Sequence, residues 1–489
     1  MREDWIEVEL GEACEINLGQ SPPSSTYNTE KEGLPFFQGK AEFTDLYPVV
    51  EKWCNSPKKI AEVDDILLSV RAPVGATNIA NQKCAIGRGL AAIRYEPCYK
   101  YILYYLKLIE RILDDQGTGT TFKAISGSVL RSQKLPLAPL PEQRAIAAKI
   151  EQLFSELDNG IANLKTAKSK LEINRQAILK QAFEGELTKE WRENNKYGLD
   201  SISSVISKVS EHRRKKHEES CKLSKENGLR AFKPQNLVPK IREYHIKLPN
   251  EWIWLSMSDI SSTDQHSMSS GPFGSCLGTK DYQESGIPVI RGKNIQKGKF
   301  VCDDFVFISE EKALSLTRSL AYSGDIIVVA VGSSGEAALV PKELKKSVIS
   351  QNCNKFTLDE SFVDSKFVLF CLQNQIVKSQ MTEKTTDTVR TFLSLTSLKS
   401  MLIPIPPLIE QKQIVEQIEM KFSVCEKLNE SIDQSLEKAQ ALRQSILKKA
   451  FKGKLLNEDE LQNCRQQPDW EPAAKLLERV KKDSKTKKS

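Results

Sequence analysis

A chain of 489 residues with 28% charged and 39% hydrophobic side chains is too long for one core and too apolar for a disordered polymer, so several domains of roughly 100–200 residues are expected. The net charge of +7 is modest, compatible with a nucleic-acid partner but no proof of one. The 11 cysteines form no CxxC pair and His212, His217, His245 and His266 have no ligand-like spacing, which argues against a zinc site and a disulfide framework and leaves reduced thiols.

The opening MREDWIEVEL is acidic and lacks a signal-peptide core. No apolar run approaches the roughly 18 residues of a membrane span. A cytoplasmic protein without membrane contact is therefore expected. Residues 1–136 read as a first α/β domain, with the short β-branched run DILLSV at 65–70 and the apolar YILYYL at 101–106. Its candidate phosphate- and base-contacting side chains are Gln38 and Lys40 in LPFFQGK, Arg71, Arg88, and Thr121 with Lys123 in GTGTTFKAIS. Small hydroxyl residues beside a cation let a loop approach a phosphate or a base edge closely.

Prolines in LPLAPLPEQ at 135–143 end an extended segment, and the acidic first turn predicts a helix from about 141 within residues 137–192. Ile150, Leu157, Leu164, Leu171 and Ile178 recur every seven residues along it, which is a coiled-coil seam. Gly185 fits its C-terminal cap. At about 45 residues the helix would be roughly 65–70 Å long. Residues 193–249 follow as a short amphipathic helix and a basic linker containing HRRKKH at 212–217.

The pattern then returns. Residues 250–404 form a second α/β domain, with IPVIRGK at 287–293 answering LPFFQGK and DIIVVA at 325–330 answering DILLSV. Its candidate contacts are Arg291, Lys293, Gln351 and Asn352, with Thr388 and Arg390 in TTDTVRTFLS at 385–394. A second long helix occupies residues 405–456, introduced by IPIPPLIEQ and carrying the seam residues Ile418, Ile432 and Ile446. Its ending, RQSILKKAFKGKL at 443–455, repeats RQAILKQAFEGEL at 175–187 at nine of thirteen positions. A further short helix and a basic tail, KKDSKTKKS, make up residues 457–489. The fold class expected is thus α+β: two α/β domains alternating with two long helices, each of which needs a partner for its apolar stripe and finds the nearest candidate in its own repeat.

Two divergent domains, each followed by a proline-bounded EQ helix that ends in AFxGxL, resemble the specificity subunit of type I restriction-modification systems over the whole chain. The resemblance implies two target-recognition domains, each binding one half of a bipartite double-stranded DNA target, and two long helices that pair as an antiparallel coiled coil, a pseudo-twofold internal repeat that fixes the spacer. It implies docking of two methyltransferase (modification) subunits and of restriction/translocase subunits, and a chain that is not catalytic alone. No cofactor is then expected on this chain, S-adenosylmethionine, ATP and Mg belonging to the partners. In agreement, the sequence has no GxxxxGK[ST] loop and no amino-methyltransferase motif, since SPPS at 21–24 and IPPL at 405–408 lack the required aromatic and acid or amide. The alternative is a coiled-coil interaction scaffold whose domains bind proteins.

Overall fold

The computed structural model describes residues 2–119, 123–195, 201–226, 232–234, 236–383 and 392–486. The first segment supplies strands β1 (Ile6–Glu9), β2 (Glu15–Leu18), β3 (Leu34–Phe37), β4 (Ile66–Ser69), β5 (Thr77–Ile79), β6 (Cys84–Ile86) and β7 (Leu90–Arg94). Helix α1 (Tyr99–Asp115), β8 (Lys134–Leu137) and the long α2 (Leu140–Phe183) follow. After α3 (Ile202–Glu226) the succession returns as β9 (Ile253–Ser256), β10 (Met268–Ser270), β11 (Ile287–Ile290), β12 (Ile326–Val329), β13 (Ala337–Leu339), β14 (Ser347–Ile349) and β15 (Cys353–Phe356). Then come α4 (Ser365–Gln373), α5 (Gln375–Glu383), β16 (Leu402–Ile405), the long α6 (Leu408–Phe451), α7 (Glu458–Arg465) and α8 (Ala473–Thr486).

One sheet of each domain corresponds strand for strand. An antiparallel sheet ordered β2–β7–β4–β5 in the first domain is matched by β10–β15–β12–β13 in the second. Every residue of the inner strands β4 and β12 is buried, which is why DILLSV and DIIVVA read as unbroken apolar runs rather than alternating ones. A parallel pair sits beside each sheet, β3 with β6 (Phe37↔Ile86) and β11 with β14 (Ile290↔Ile349). Finally β1 pairs with β8 (Ile6↔Leu137) and β9 with β16 (Ile253↔Ile405), so each domain closes on the strand that feeds its long helix.

The chain divides into two compact units, residues 1–166 with 432–489 and residues 167–431. Each long helix contributes to both. In the first unit, Ile146, Ala147 and Ile150 at the start of α2 share a core with Ile446, Leu447, Ala450 and Phe451 at the end of α6. In the second, Leu179, Ala182 and Phe183 at the end of α2 share a core with Ile414, Val415 and Ile418 at the start of α6. Start lies beside end in both units, so α2 and α6 pack together as an antiparallel coiled coil. Of the seam positions, Ile150, Ile178, Ile418 and Ile446 are buried, whereas Leu157, Leu164, Leu171 and Ile432 are half-buried. A two-helix pair covers only one side of each helix where no domain core adds a second layer.

The duplicated motif is explained residue by residue. Its leading arginine lies over a ring of the opposite helix, Arg175 over Phe422 at 4.0 Å and Arg443 over Phe154 at 5.1 Å. The phenylalanine of AFxGxL ends each helix inside a domain core, Phe183 against Phe367 (5.3 Å) and Phe451 against Tyr101 (4.9 Å), a burial worth about 1.5–3 kcal/mol for each side chain. Gly185 and Gly453 then adopt left-handed backbone, φ 79° and 69°. The next amides, of Glu186 and Lys454, turn back onto the carbonyls of Gln181 and Lys449, closing the helices as C-terminal glycine caps do.

Each unit also holds the segment that follows the other domain's helix. Ala473 donates to the Asp4 carbonyl (3.2 Å), Arg465 pairs with Asp4 (2.9 Å) and Lys149 with Glu460 (2.9 Å), all in the first unit. In the second, α3 lies against the domain through Arg213, whose Nε donates to Asp359 (2.8 Å) while Nη1 and Nη2 donate to the carbonyls of Asn236, Asp259 and Ser261. This corrects the reading of HRRKKH as a basic linker: the run lies inside α3, and Arg213 is 1% exposed. A buried guanidinium needs several acceptors at once, and this one finds four. It is therefore a structural tie rather than free charge.

Candidate nucleic-acid interface

In each domain, main-chain hydrogen bonds gather the loops that carry most of the predicted contact residues into one edge, at the ends of strands from two neighbouring sheets. In the first, Gly87 N donates to Phe37 O (2.8 Å), Val70 N to Gly89 O (2.9 Å), Ile125 N to Val70 O (3.0 Å) and Ala72 N to Lys123 O (2.9 Å). These bonds bring together the loops of Gln38, Arg71, Arg88 and Lys123. The turn at 87–90 is tight, Leu90 N donating to Gly87 O (3.0 Å), and Ser21 Oγ accepts from Arg88 N (3.2 Å). A Cβ on Gly89 would lie 2.2 Å from Gln38 O. Only glycine allows that approach.

The second domain repeats four bonds of this frame. Ser350 N donates to Ile290 O (2.8 Å), Ala330 N to Asn352 O (2.7 Å), Leu393 N to Ala330 O (3.0 Å) and Cys353 N to Ser350 O (3.0 Å). The loops of Arg291, Gln351 and Asn352 converge at the equivalent edge, together with Val331, which bridges Phe392. Phe392 is 46% exposed, an aromatic face at the edge that the sequence reading did not single out. Thr121, Thr388 and Arg390, also predicted contacts, lie outside the described residues.

The side chains at these edges differ in availability. Gln38, Lys40, Arg71, Arg88, Gln351 and Asn352 are exposed, and Arg71 and Arg88 have no carboxylate partner among the described residues. Lys123 is not free, since its Nζ pairs with Asp114 at 3.1 Å, a hydrogen bond that holds the Asp114 carboxyl below its ordinary range. Lys293 pairs with Asp304. Arg291 is half-buried, its Nη2 donating to Asp304 O at 2.7 Å. Exposed cations without a partner keep their hydration and charge available for a polyanion.

Behind each edge a buried tie fixes the domain to its long helix. Trp5 Nε1 donates to Glu142 Oε2 (2.8 Å) and Trp252 Nε1 to Glu410 Oε2 (2.9 Å). The adjoining glutamines also act alike: Gln143 Nε2 donates to Ala138 O (2.7 Å) and Tyr95 Oη (3.0 Å), Gln411 Nε2 to Pro406 O (2.9 Å) and Phe362 O (3.0 Å). The EQ of PLPEQ and PLIEQ is thus a clamp of the helix start onto the domain. The two ties differ in one respect. Glu410 Oε1 accepts from Thr188 Oγ1 (2.7 Å) and lies 3.6 Å from Arg192 Nε, whereas Glu142 Oε1 has no partner among the described residues. Burial raises the Glu410 pKa, against the pull of Thr188, Trp252 and Arg192. Among the described residues no group of three or more His, Cys, Asp or Glu side chains is placed to hold a metal, and no helix is long and apolar enough to cross a membrane.

Comparison with known proteins agrees with this architecture. The family model described as type I restriction modification DNA specificity domain matches residues 2–166 and 274–438. The EcoBI type I restriction enzyme specificity subunit of Escherichia coli is 24% identical over 493 residues, covering 98% of this chain and 92% of that one. A solved structure from a study of complex assembly and conformational transition of the type I R-M system superimposes with a TM-score of 0.65 at 17% identity, over 93% of this chain and 99% of that one. The crystal structure of the HsdS subunit from Thermoanaerobacter tengcongensis is 46% identical over 38% of this chain, with a TM-score of 0.33. In that match, and in the curated match of 43% identity, the chain spans about half the length of the relative, 46% and 44%.

Proposed function

The chain belongs to the type I restriction modification DNA specificity family, and from that premise we propose that it selects the DNA target of a restriction-modification complex. Each loop edge reads one half of a bipartite double-stranded site, and the paired helices hold the half-sites apart. The observation that carries this reading is the duplication of one main-chain loop frame, with exposed Gln38, Arg71 and Arg88 on one copy and Gln351 and Asn352 on the other. Such donors and acceptors suit base edges in a major groove, and the cations suit phosphates. Helices of 44 residues, roughly 65 Å at 1.5 Å per residue, are long enough to separate sites one duplex turn of about 34 Å apart.

In this reading the chain itself catalyses nothing. Two methyltransferase subunits and the restriction/translocase subunits assemble on it in the cytoplasm and bring S-adenosylmethionine, ATP and Mg. Long-read mapping of methylated bases, in cells carrying the chain with its modification partner and in cells lacking the chain, tests the proposal. Disappearance of one bipartite methylated motif supports it. An unchanged pattern with an active partner overturns it.

A further inference from the structure

The matched hydrogen bonds establish which residues of the two domains occupy the same place. Phe37 and Ile290 are equivalent because each carbonyl receives the amide that opens the neighbouring turn, Gly87 N and Ser350 N, both at 2.8 Å. The turns 87–90 and 350–353 are equivalent because each closes on itself at 3.0 Å and each third residue accepts from the residue that follows the inner strand, Gly89 O from Val70 N and Asn352 O from Ala330 N. The residue after Phe37 is Gln38, and the residue after Ile290 is Arg291. The second residue of the first turn is Arg88, and of the second turn Gln351. Each domain thus places one guanidinium and one carboxamide at the carboxyl ends of the same two parallel strands, β3 with β6 and β11 with β14, and the two domains exchange them.

Arginine pairs with guanine through O6 and N7, and glutamine pairs with adenine through N6 and N7. On the reading given under Proposed function, we infer that these four side chains determine specificity as an exchanged pair: Arg88 and Arg291 each select a guanine, Gln38 and Gln351 each select an adenine, and the order of the two is reversed between the half-sites. Arg88, Gln38 and Gln351 are exposed. Arg291 is tethered by Nη2 to Asp304 O, which limits the conformations it must give up on binding.

Methylation mapping of cells carrying the chain with its modification partner tests the exchange. Arg88→Gln should convert one guanine position of one half-site to adenine, and Gln351→Arg should convert one adenine position of the other half-site to guanine, every remaining position being kept. A second measurement needs no variant. With the assembled wild-type complex, duplexes carrying 7-deazaguanine at each target guanine in turn should lose affinity by roughly 5- to 150-fold at one position in each half-site. A motif that keeps every base identity in both variants, or a half-site in which no 7-deazaguanine matters, overturns the inference while leaving DNA recognition standing. A wild-type chain that directs methylation to no bipartite motif removes the premise instead.

Discussion

Replacing Trp5 by phenylalanine should harm the first unit more than Trp252→Phe harms the second. Both changes delete one indole N–H from a fully buried carboxylate, Glu142 and Glu410 being 0% exposed, and both keep a ring in place. After Trp252→Phe, Glu410 retains the Thr188 hydroxyl at 2.7 Å and the nearby Arg192, so the loss is one charge-assisted hydrogen bond, about 1.5–3 kcal/mol. After Trp5→Phe, Glu142 keeps no donor among the described residues, since Oε2 loses its 2.8 Å bond and Oε1 had none. A buried carboxyl group left without any hydrogen bond adds its unmet desolvation cost, about 1–3 kcal/mol. The first variant should therefore be the worse by about 1–3 kcal/mol, and adding Glu142→Gln to it should recover much of the difference. Two compact units need not unfold together, so the measurement is hydrogen exchange resolved by peptide across a urea series. Equal destabilisation of the two units, or a larger effect of Trp252→Phe, would refute the reasoning.

Arg213→Lys should destabilise the second unit by about 3 kcal/mol, because an ammonium cannot serve four acceptors spread around a planar fork, whereas Arg214→Ala, at an exposed position of the same run, should stay within about 0.5 kcal/mol in chemical denaturation. The pKa of Glu410 is raised by burial above its ordinary 4.5, so the folded state binds more protons than the unfolded one just above that pH. Stability from this group is then present below 4.5 and is lost as pH rises through the folded value; Glu410→Gln should flatten that decline in unfolding midpoints measured across the range. Leu164→Asp puts a charge at a half-buried seam position and should cost about 2 kcal/mol. Methylation mapping should then show a relaxed spacer with both half-sites retained; an unaltered spacer in an assembled complex would count against the helices as its ruler.

The long helices were legible in the sequence because their signals are local. Prolines and an acidic first turn marked a start near 141 and Gly185 the end, the second helix was placed within 405–456 by the same signals, and the structure has Leu140–Phe183 and Leu408–Phe451. That the helices need each other followed from a tandem repeat whose apolar stripes require cover; their antiparallel sense came only with the family resemblance. What could not be read depended on residues distant in the chain. Nothing near HRRKKH announces that Arg213 meets Asp359, 146 positions away, and nothing near Lys123 shows Asp114 turned towards it across a loop. The placing of the C-terminal segment with the first domain, through Asp4 and Ala473, is likewise a property of the folded chain alone. The candidate loops were found by residue type, and the match of LPFFQGK with IPVIRGK already set Gln38 opposite Arg291; the equivalence of the turns 87–90 and 350–353 became visible only through the main-chain bonds.

Those bonds bear on how such a protein could change its target. Amide and carbonyl groups are common to every residue but proline, so a frame made of them does not depend on which side chains it displays. Its fixed points are small: a Cβ at Gly19 would lie 2.1 Å from Gly87 O, and one at Gly271 1.9 Å from Ser350 O. Positions 38, 71, 88 and 351, all exposed, stand outside these constraints. On the reading proposed above, substitution at these positions can alter the target one base at a time while the frame that carries the loops is kept, so a change of specificity need not pass through an unfolded intermediate.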